Sequence, residues 1–201
     1  ISIKSVESKM FGNVGYIKIN EFGEKTTNEF NQALTTLKAQ NPRGYVIDLR
    51  NNPGGYLDSA VDLLSNFIPK DKIAVSTITA KKESTIYLSK GAAEQISIPV
   101  AVLINKSTAS ASEIMAGALQ DHNIAKLIGT KSFGKGSVQQ IFGYIDNSTL
   151  KISVAHWLTP NGKDINGVGL NPDISVELTK DDAANQRDPQ LDQAVMYIQS
   201  K

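Results

Sequence analysis

The sequence predicts an α/β fold: a largely parallel sheet with flanking helices, to which additional antiparallel strands are joined. Three observations carry this. Strand-like and helix-like segments alternate across much of the first 130 residues, the pattern of βαβ units. Consecutive strand patterns then follow one another. The chain of 201 residues, 40% of them hydrophobic, can bury the core such a sheet needs, in one domain or one domain with a small appendage.

The elements follow in order. Gly15 to Asn20 reads as a strand with Tyr16, Ile17 and Ile19 as its apolar residues. Thr26 and Glu29 have the spacing of a capping box and open a helix to about Ala39, with Phe30, Leu34 and Leu37 on its inner face. Gly44 to Leu49 is a short apolar run bounded by turn residues, hence a buried strand. Arg50 to Gly55 (RNNPGG) must turn sharply, since Pro fixes φ and Gly permits positive φ. Leu57, Val61, Leu64 and Phe67 repeat at helical spacing until Pro69. Strands are expected at Ile73–Thr79, Ser84–Leu88 and Pro99–Asn105, a helix rich in small residues at Ser110–Gln120, and strands at Ala125–Gly129, Val138–Tyr144 and Leu150–Trp157. Asp188 as N-cap with Pro189 in the first turn starts a final helix carrying Leu191, Ala194, Val195 and Ile198.

Composition excludes several functions. The 21 basic and 20 acidic side chains leave a charge of +1, without the basic excess on which nucleic-acid binding rests, and the apolar content excludes intrinsic disorder. No apolar run approaches the length of about 18 residues that spans a membrane. With no Cys and two His, zinc-finger, iron–sulfur and thiol-protease chemistry are removed. The absence of Cys suits a cytosolic protein and equally an exported bacterial one. Because the chain starts at Ile1 without Met or signal segment, it is expected to be a piece of a longer protein.

Chemistry concentrates in three segments, each where a strand ends, the place where ligands gather in open α/β sheets. In the first, Asp48 to Gly55, consecutive glycines after a buried strand expose N–H groups able to bind a developing oxyanion; the plainer reading is a tight turn with Asp48 and Arg50 paired nearby. The second is Asn105 to Ile114. A Ser at the helix N-terminus would sit beside orphan N–H groups and the positive end of the dipole, which suits a nucleophile; the plainer reading is a helix cap. Composition does not choose among Ser107, Ser110 and Ser112. The third is Gly129 to Val138. It begins like a phosphate-binding loop, but Gly136 stands where Ser or Thr must bind magnesium, and a strand pattern follows. Lys135, between two glycines, could instead be a desolvated general base, against the plainer reading of a solvated loop lysine.

Neither His122, near a helix end, nor His156, read as a packed strand residue, has a nucleophile-elbow context, and G-x-S-x-G does not occur. Ser with Lys is therefore the economical pairing. Asn105 and Asn147 open glycosylation-like tripeptides, matches that arise by chance in short patterns.

The ordered motifs GYIKI, DLRNNPGG, STASASEIMAGAL, GTKSFGKGSVQ and TPNGKDINGVGLNPD, from about Ser5 to Asp173, resemble the carboxyl-terminal processing peptidases, the tail-specific proteases of serine peptidase family S41. The resemblance implies a crotonase/ClpP-like core over residues 1–179, a C-terminal helical extension over 180–201, and no cofactor or metal. It implies Ser110 as nucleophile and Lys135 as base, Gln139 to orient the amine, an oxyanion hole from Ala111 with Gly54 or Gly55, and a supportive Asp121. Substrates would be proteins or peptides with exposed, flexible, apolar C-terminal tails, and nucleic acid is not expected. Family members usually carry a PDZ domain before the GYIKI strand, and none is seen in this sequence. A homo-oligomer or regulatory partner, and an extracytoplasmic, membrane-anchored or secreted bacterial protein, are further expectations of the resemblance. The alternative is a latent peptide-binding or scaffold module on the same fold. The final stretch, Lys180 to Lys201, carries no dyad motif and is expected to dock a partner subunit or another domain.

Overall fold

The computed structural model describes residues 4–92, 95–146 and 148–201. Along the chain run β1 (Val6–Phe11), β2 (Val14–Ile19), α1 (Thr26–Lys38), β3 (Gly44–Asp48), α2 (Leu57–Leu64), β4 (Ile73–Thr79), β5 (Ser84–Leu88), β6 (Val100–Ile104), α3 (Ala111–Asp121), β7 (Ala125–Gly129), β8 (Ser137–Gly143), β9 (Thr149–Leu158), β10 (Ile174–Ser175), α4 (Lys180–Ala184) and α5 (Pro189–Gln199). The first sheet has six strands in the order β1-β2-β3-β6-β7-β10; the second has four, β5-β4-β9-β8. In the first sheet β2, β3, β6, β7 and β10 are parallel and β1 is antiparallel to β2. All neighbours in the second are antiparallel.

Strands β3 and β6 are buried at every residue, as parallel strands covered on both faces must be. One face packs Ile17, Ile47, Val102 and Leu127 against Phe30 and Leu37 of α1, Leu63 and Leu64 of α2, and Met115 and Leu119 of α3. The opposite face packs Val46, Ala101 and Leu103 against Ala194 and Ile198 of α5. The final helix therefore covers the chain's own sheet with its apolar face inward. The apolar spacing Leu191, Ala194, Val195, Ile198 is satisfied within the domain.

Three further differences have physical reasons. The strand β1 was not expected, because its sequence VESKMF does not alternate and only Val6 is buried. The capping box at Thr26 and Glu29 does not form; Lys25 is the N-cap of α1. Glu29 instead accepts from the Ser5 and Val6 N–H groups (2.8 and 3.1 Å) and fixes the start of β1. His156 is not packed: its ring is 46% exposed and faces Asp164 at 3.1 Å, while neighbouring Trp157, 1% exposed, takes the interior position. Asn147 of the second glycosylation-like tripeptide lies outside the described residues. Among the described residues no helix is long and apolar enough to cross a membrane.

Candidate active site

The turn after β3 approaches the start of α3. Asn52 is fully buried and organises the crossing. Its side chain accepts from Gly54 N–H (2.9 Å) and donates to the Ile19 carbonyl (2.8 Å). Its own carbonyl accepts from Ala109 N–H and from the Ser112 hydroxyl, both at 3.1 Å. Asn51 and Asn105 exchange a reciprocal pair of bonds at 3.1 and 2.9 Å, a second link between the two loops. At Gly54, φ is +104°, and an added Cβ would lie 2.7 Å from Ser110 Cβ, 2.8 Å from the Ala109 carbonyl oxygen and 2.9 Å from the Ala111 nitrogen. Only glycine permits this approach.

This arrangement separates the three serines. The Ser112 hydroxyl is buried and bonded to Asn52, and Ser107 lies exposed in the loop. Ser110 is the N-cap of α3 with φ 54° and ψ −120°, a conformation costing a non-glycine residue of order 1–3 kcal/mol and characteristic of functional sites. Behind it Ala111 is 1% exposed, and its N–H has no partner among the described residues. A buried, unpaired N–H beside a strained serine is a donor waiting for an acceptor. On the facing turn, Gly54 N–H is committed to Asn52, whereas Gly55 N–H has no partner among the described residues; its bridge to Phe22 uses the Gly54 carbonyl and the Tyr56 N–H.

Lys135 lies in the connection between the two sheets, two residues before β8. Its main chain is held at both ends: the N–H donates to Glu113 Oε2 (2.9 Å) and the carbonyl accepts from the Trp157 indole (3.0 Å). Glu113, wholly buried, is the hub. Its Oε2 also accepts from Ser110 N–H (3.0 Å), and its Oε1 accepts from Gly134 N–H (2.7 Å) and the Ser132 hydroxyl (2.5 Å). Ser132 Oγ in turn accepts from Leu170 N–H (2.7 Å), and Gly136 N–H donates to Asn166 (3.1 Å). The lysine side chain is half-buried, and its amine makes no hydrogen bond or ion pair among the described residues, with Ser110 or any other group.

The other expected residues are placed as follows. Gln139 is exposed on β8, opposite Ser153 at an irregularity in the ladder. Asp121 is at the far end of α3, about 15 Å from Ala111 at the helical rise, so it does not touch the Ser–Lys pair. Its carboxylate accepts from Asn161 N–H (2.9 Å) and anchors the loop that returns to Gly136 and Ser132. His122 is the C-cap of α3 and contacts the Ile73 carbonyl. The strand β8 follows Lys135, so the helix a phosphate loop requires is not there. Sequence reasoning missed Glu113, although Ser110-x-x-Glu113 is the capping-box pattern that signals a carboxylate turned back to the N-cap. It also missed Asp188. Arg50 is flanked by Asp48 (2.6 Å) and Asp188 (2.8 Å), which hold its guanidinium charged, above its ordinary range, despite burial.

A strained serine at a helix N-terminus, unpaired N–H groups beside it and a lysine on a braced loop define the class of serine-type hydrolases. Residues 13–176 match the model of peptidase family S41, and the chain belongs to that family. It is 42% identical over 182 residues to the "Carboxy-terminal-processing protease" of Bartonella bacilliformis, covering 88% of this chain and 42% of that protein. It is 40% identical over 186 residues to a Staphylococcus epidermidis protein named "Probable CtpA-like serine protease", covering 92% and 38%. Among solved structures, a photosystem II D1 C-terminal processing protease superposes with a TM-score of 0.79 at 31% identity, over 88% of this chain and 49% of that one. The chain thus spans about two-fifths of the length of these curated relatives. The mixed α/β core is that of the family.

Proposed function

We propose that the chain is the catalytic core of a serine endopeptidase in which Ser110 is the nucleophile and Lys135 the general base. One observation carries this reading: a single buried carboxylate, Glu113, accepts from the main chain of both residues, so one group sets the position of nucleophile and base together. As base, Lys135 must be uncharged when it acts, and an arriving peptide strips water from its half-buried amine. It takes the Ser110 proton as Oγ bonds to the scissile carbonyl carbon. The oxyanion is received by the N–H groups of Ala111 and Gly55; the commitment of Gly54 N–H to Asn52 favours Gly55 over Gly54. The proton passes to the leaving amine, and water activated by Lys135 hydrolyses the acyl-enzyme. Each oxyanion donor is worth about 3 kcal/mol in the transition state.

The substrate lies extended along a strand edge. The strand β8, at the end of its sheet and directly after Lys135, offers such an edge, and main-chain pairing accepts varied sequences. Flexible, apolar C-terminal tails fit this edge, and the relatives are named for carboxy-terminal processing. The whole protein is proposed to act outside the cytoplasm, which fractionation of cells would test. The free Lys135 amine favours a second reading, in which the core rests in a latent form until substrate or a further domain closes it.

Cleavage of an unstructured peptide ending in small apolar residues, followed by mass spectrometry, is the test. Ser110→Ala and Lys135→Ala should each abolish turnover while leaving the melting curve in place. Full activity in either variant overturns the dyad.

A further inference from the structure

We propose that Asp188 and Gln190, outside the span matched to the family model, are positioning residues that act through Arg50 on the turn carrying Gly55. This rests on the Ser110–Lys135 reading of the site. Arg50 begins that turn, and its side chain is 12% exposed. Its Nε and Nη2 donate to Asp48, at 3.0, 3.1 and 2.6 Å. Asp48 already supplies one counter-charge, yet a second arrives from 138 residues further on. Asp188 meets Nη1 and Nη2 bidentately, at 2.8 Å on each side, and Gln190 Oε1 accepts from Nη1 at 3.0 Å. Tyr16 adds a bond to Asp48 at 2.7 Å.

The far side of this link is rigid. Gln190 is 2% exposed and donates to the Val176 carbonyl at 2.7 Å. Asp188 caps α5 by accepting from Leu191 N–H at 3.0 Å. The helix is seated so closely that a Cβ on Gly44 would lie 2.6 Å from Ile198 Cγ2. The turn is therefore clamped at two ends. Asn51 and Asn52 fix it to the nucleophile loop; the guanidinium fork fixes its origin to α5. Releasing the fork frees the Arg50 end of a segment whose Asn51 already holds a φ of 62°, and the displacement reaches Gly55.

A purely structural pair would hold the helix and leave the chemistry alone, and the two roles separate by experiment. Asp188→Asn keeps a good N-cap and loses the charged fork. Arg50→Lys keeps the charge and loses planarity. Leu191→Ala removes an apolar contact of the same helix without touching Arg50. Modification of Ser110 by a peptide aryl phosphonate, read by mass spectrometry well below each melting temperature, reports on the oxyanion donors. Asp188→Asn and Arg50→Lys should each be modified about tenfold or more slowly, and peptide turnover should lose kcat with little change in KM, as misplacing a catalytic group does. Leu191→Ala should be less stable yet modified at the wild-type rate. Wild-type rates in both charge-pair variants, or slowing in Leu191→Ala that matches theirs, overturn the proposal. Failure of the wild-type chain to be modified at Ser110 overturns the active-core reading in favour of the latent one, and this inference with it.

Discussion

Replacing Glu113 by Gln tests the centre of the site. The carboxylate accepts four bonds, three of them from fixed backbone N–H groups at 2.7, 2.9 and 3.0 Å. A glutamine has one oxygen. Turned toward Ser110 and Lys135, it keeps those two N–H groups and faces Gly134 N–H with its own NH2; Ser132 can rotate to accept. Two buried donors, the Gly134 N–H and the Ser132 hydroxyl, are then orphaned, at about 1–3 kcal/mol each, and two surviving bonds lose their ionic character, at about 1 kcal/mol each. The sum is about 6 kcal/mol, within the ordinary stability of a domain of this size, so the variant should fold. At about 2–4 °C per kcal/mol, the melting temperature should fall by roughly 15–20 °C. Circular dichroism melts give the shift, and peptide turnover well below the melt should drop at least about tenfold as the Ser110–Lys135 relation loosens. A melting temperature within a degree of wild type together with full turnover would refute the bridging role.

Other outcomes follow from the same contacts. Gly54→Ala places a methyl within 2.9 Å of Ser110 Cβ, the Ala109 carbonyl and the Ala111 nitrogen, at a φ of +104°; turnover should be lost with a large fall in the urea midpoint, and an active variant contradicts the close approach. Trp157→Phe removes the indole bond to the Lys135 carbonyl and should cost about 2 kcal/mol, read by urea denaturation. Burial raises the Asp188 carboxyl and the Arg50 fork and Leu191 N–H lower it, with a net value below the ordinary aspartate range. Its contribution is therefore fully present above the unfolded-state value and is lost as pH falls through the lower folded-state value. The stability gap between wild type and Asp188→Asn should be constant from neutral pH down through mild acid and shrink only below the ordinary aspartate range; a gap that closes near pH 6 contradicts this.

The main sheet and its helices were legible because Phe30, Leu34 and Leu37, or Leu57, Val61 and Leu64, repeat at helical spacing, and because GYVID and VAVLI are uninterrupted apolar or nearly apolar runs. Local pattern ends there. The edge strand β1 buries little, so its sequence carries little signal. Arg50 reads as a partner of Asp48, two residues away; nothing near it in the chain announces Asp188. Ser110 and Lys135 are legible only through motif resemblance, and the sequence does not show that Asn52 Oδ1 accepts from Gly54 N–H, the bond on which the proposed preference for Gly55 rests. Nothing local to Glu113 announces its burial; only the fold brings Ser110 and the segment from Ser132 to Lys135 together on its carboxylate.

Ser110 stands on a helix of the first sheet's layer, and Lys135 on the strip of chain that crosses into the second. Their alignment thus belongs to neither sheet alone. The distance between them depends on how the two sheets sit against each other, and a change there would alter it without breaking a strand.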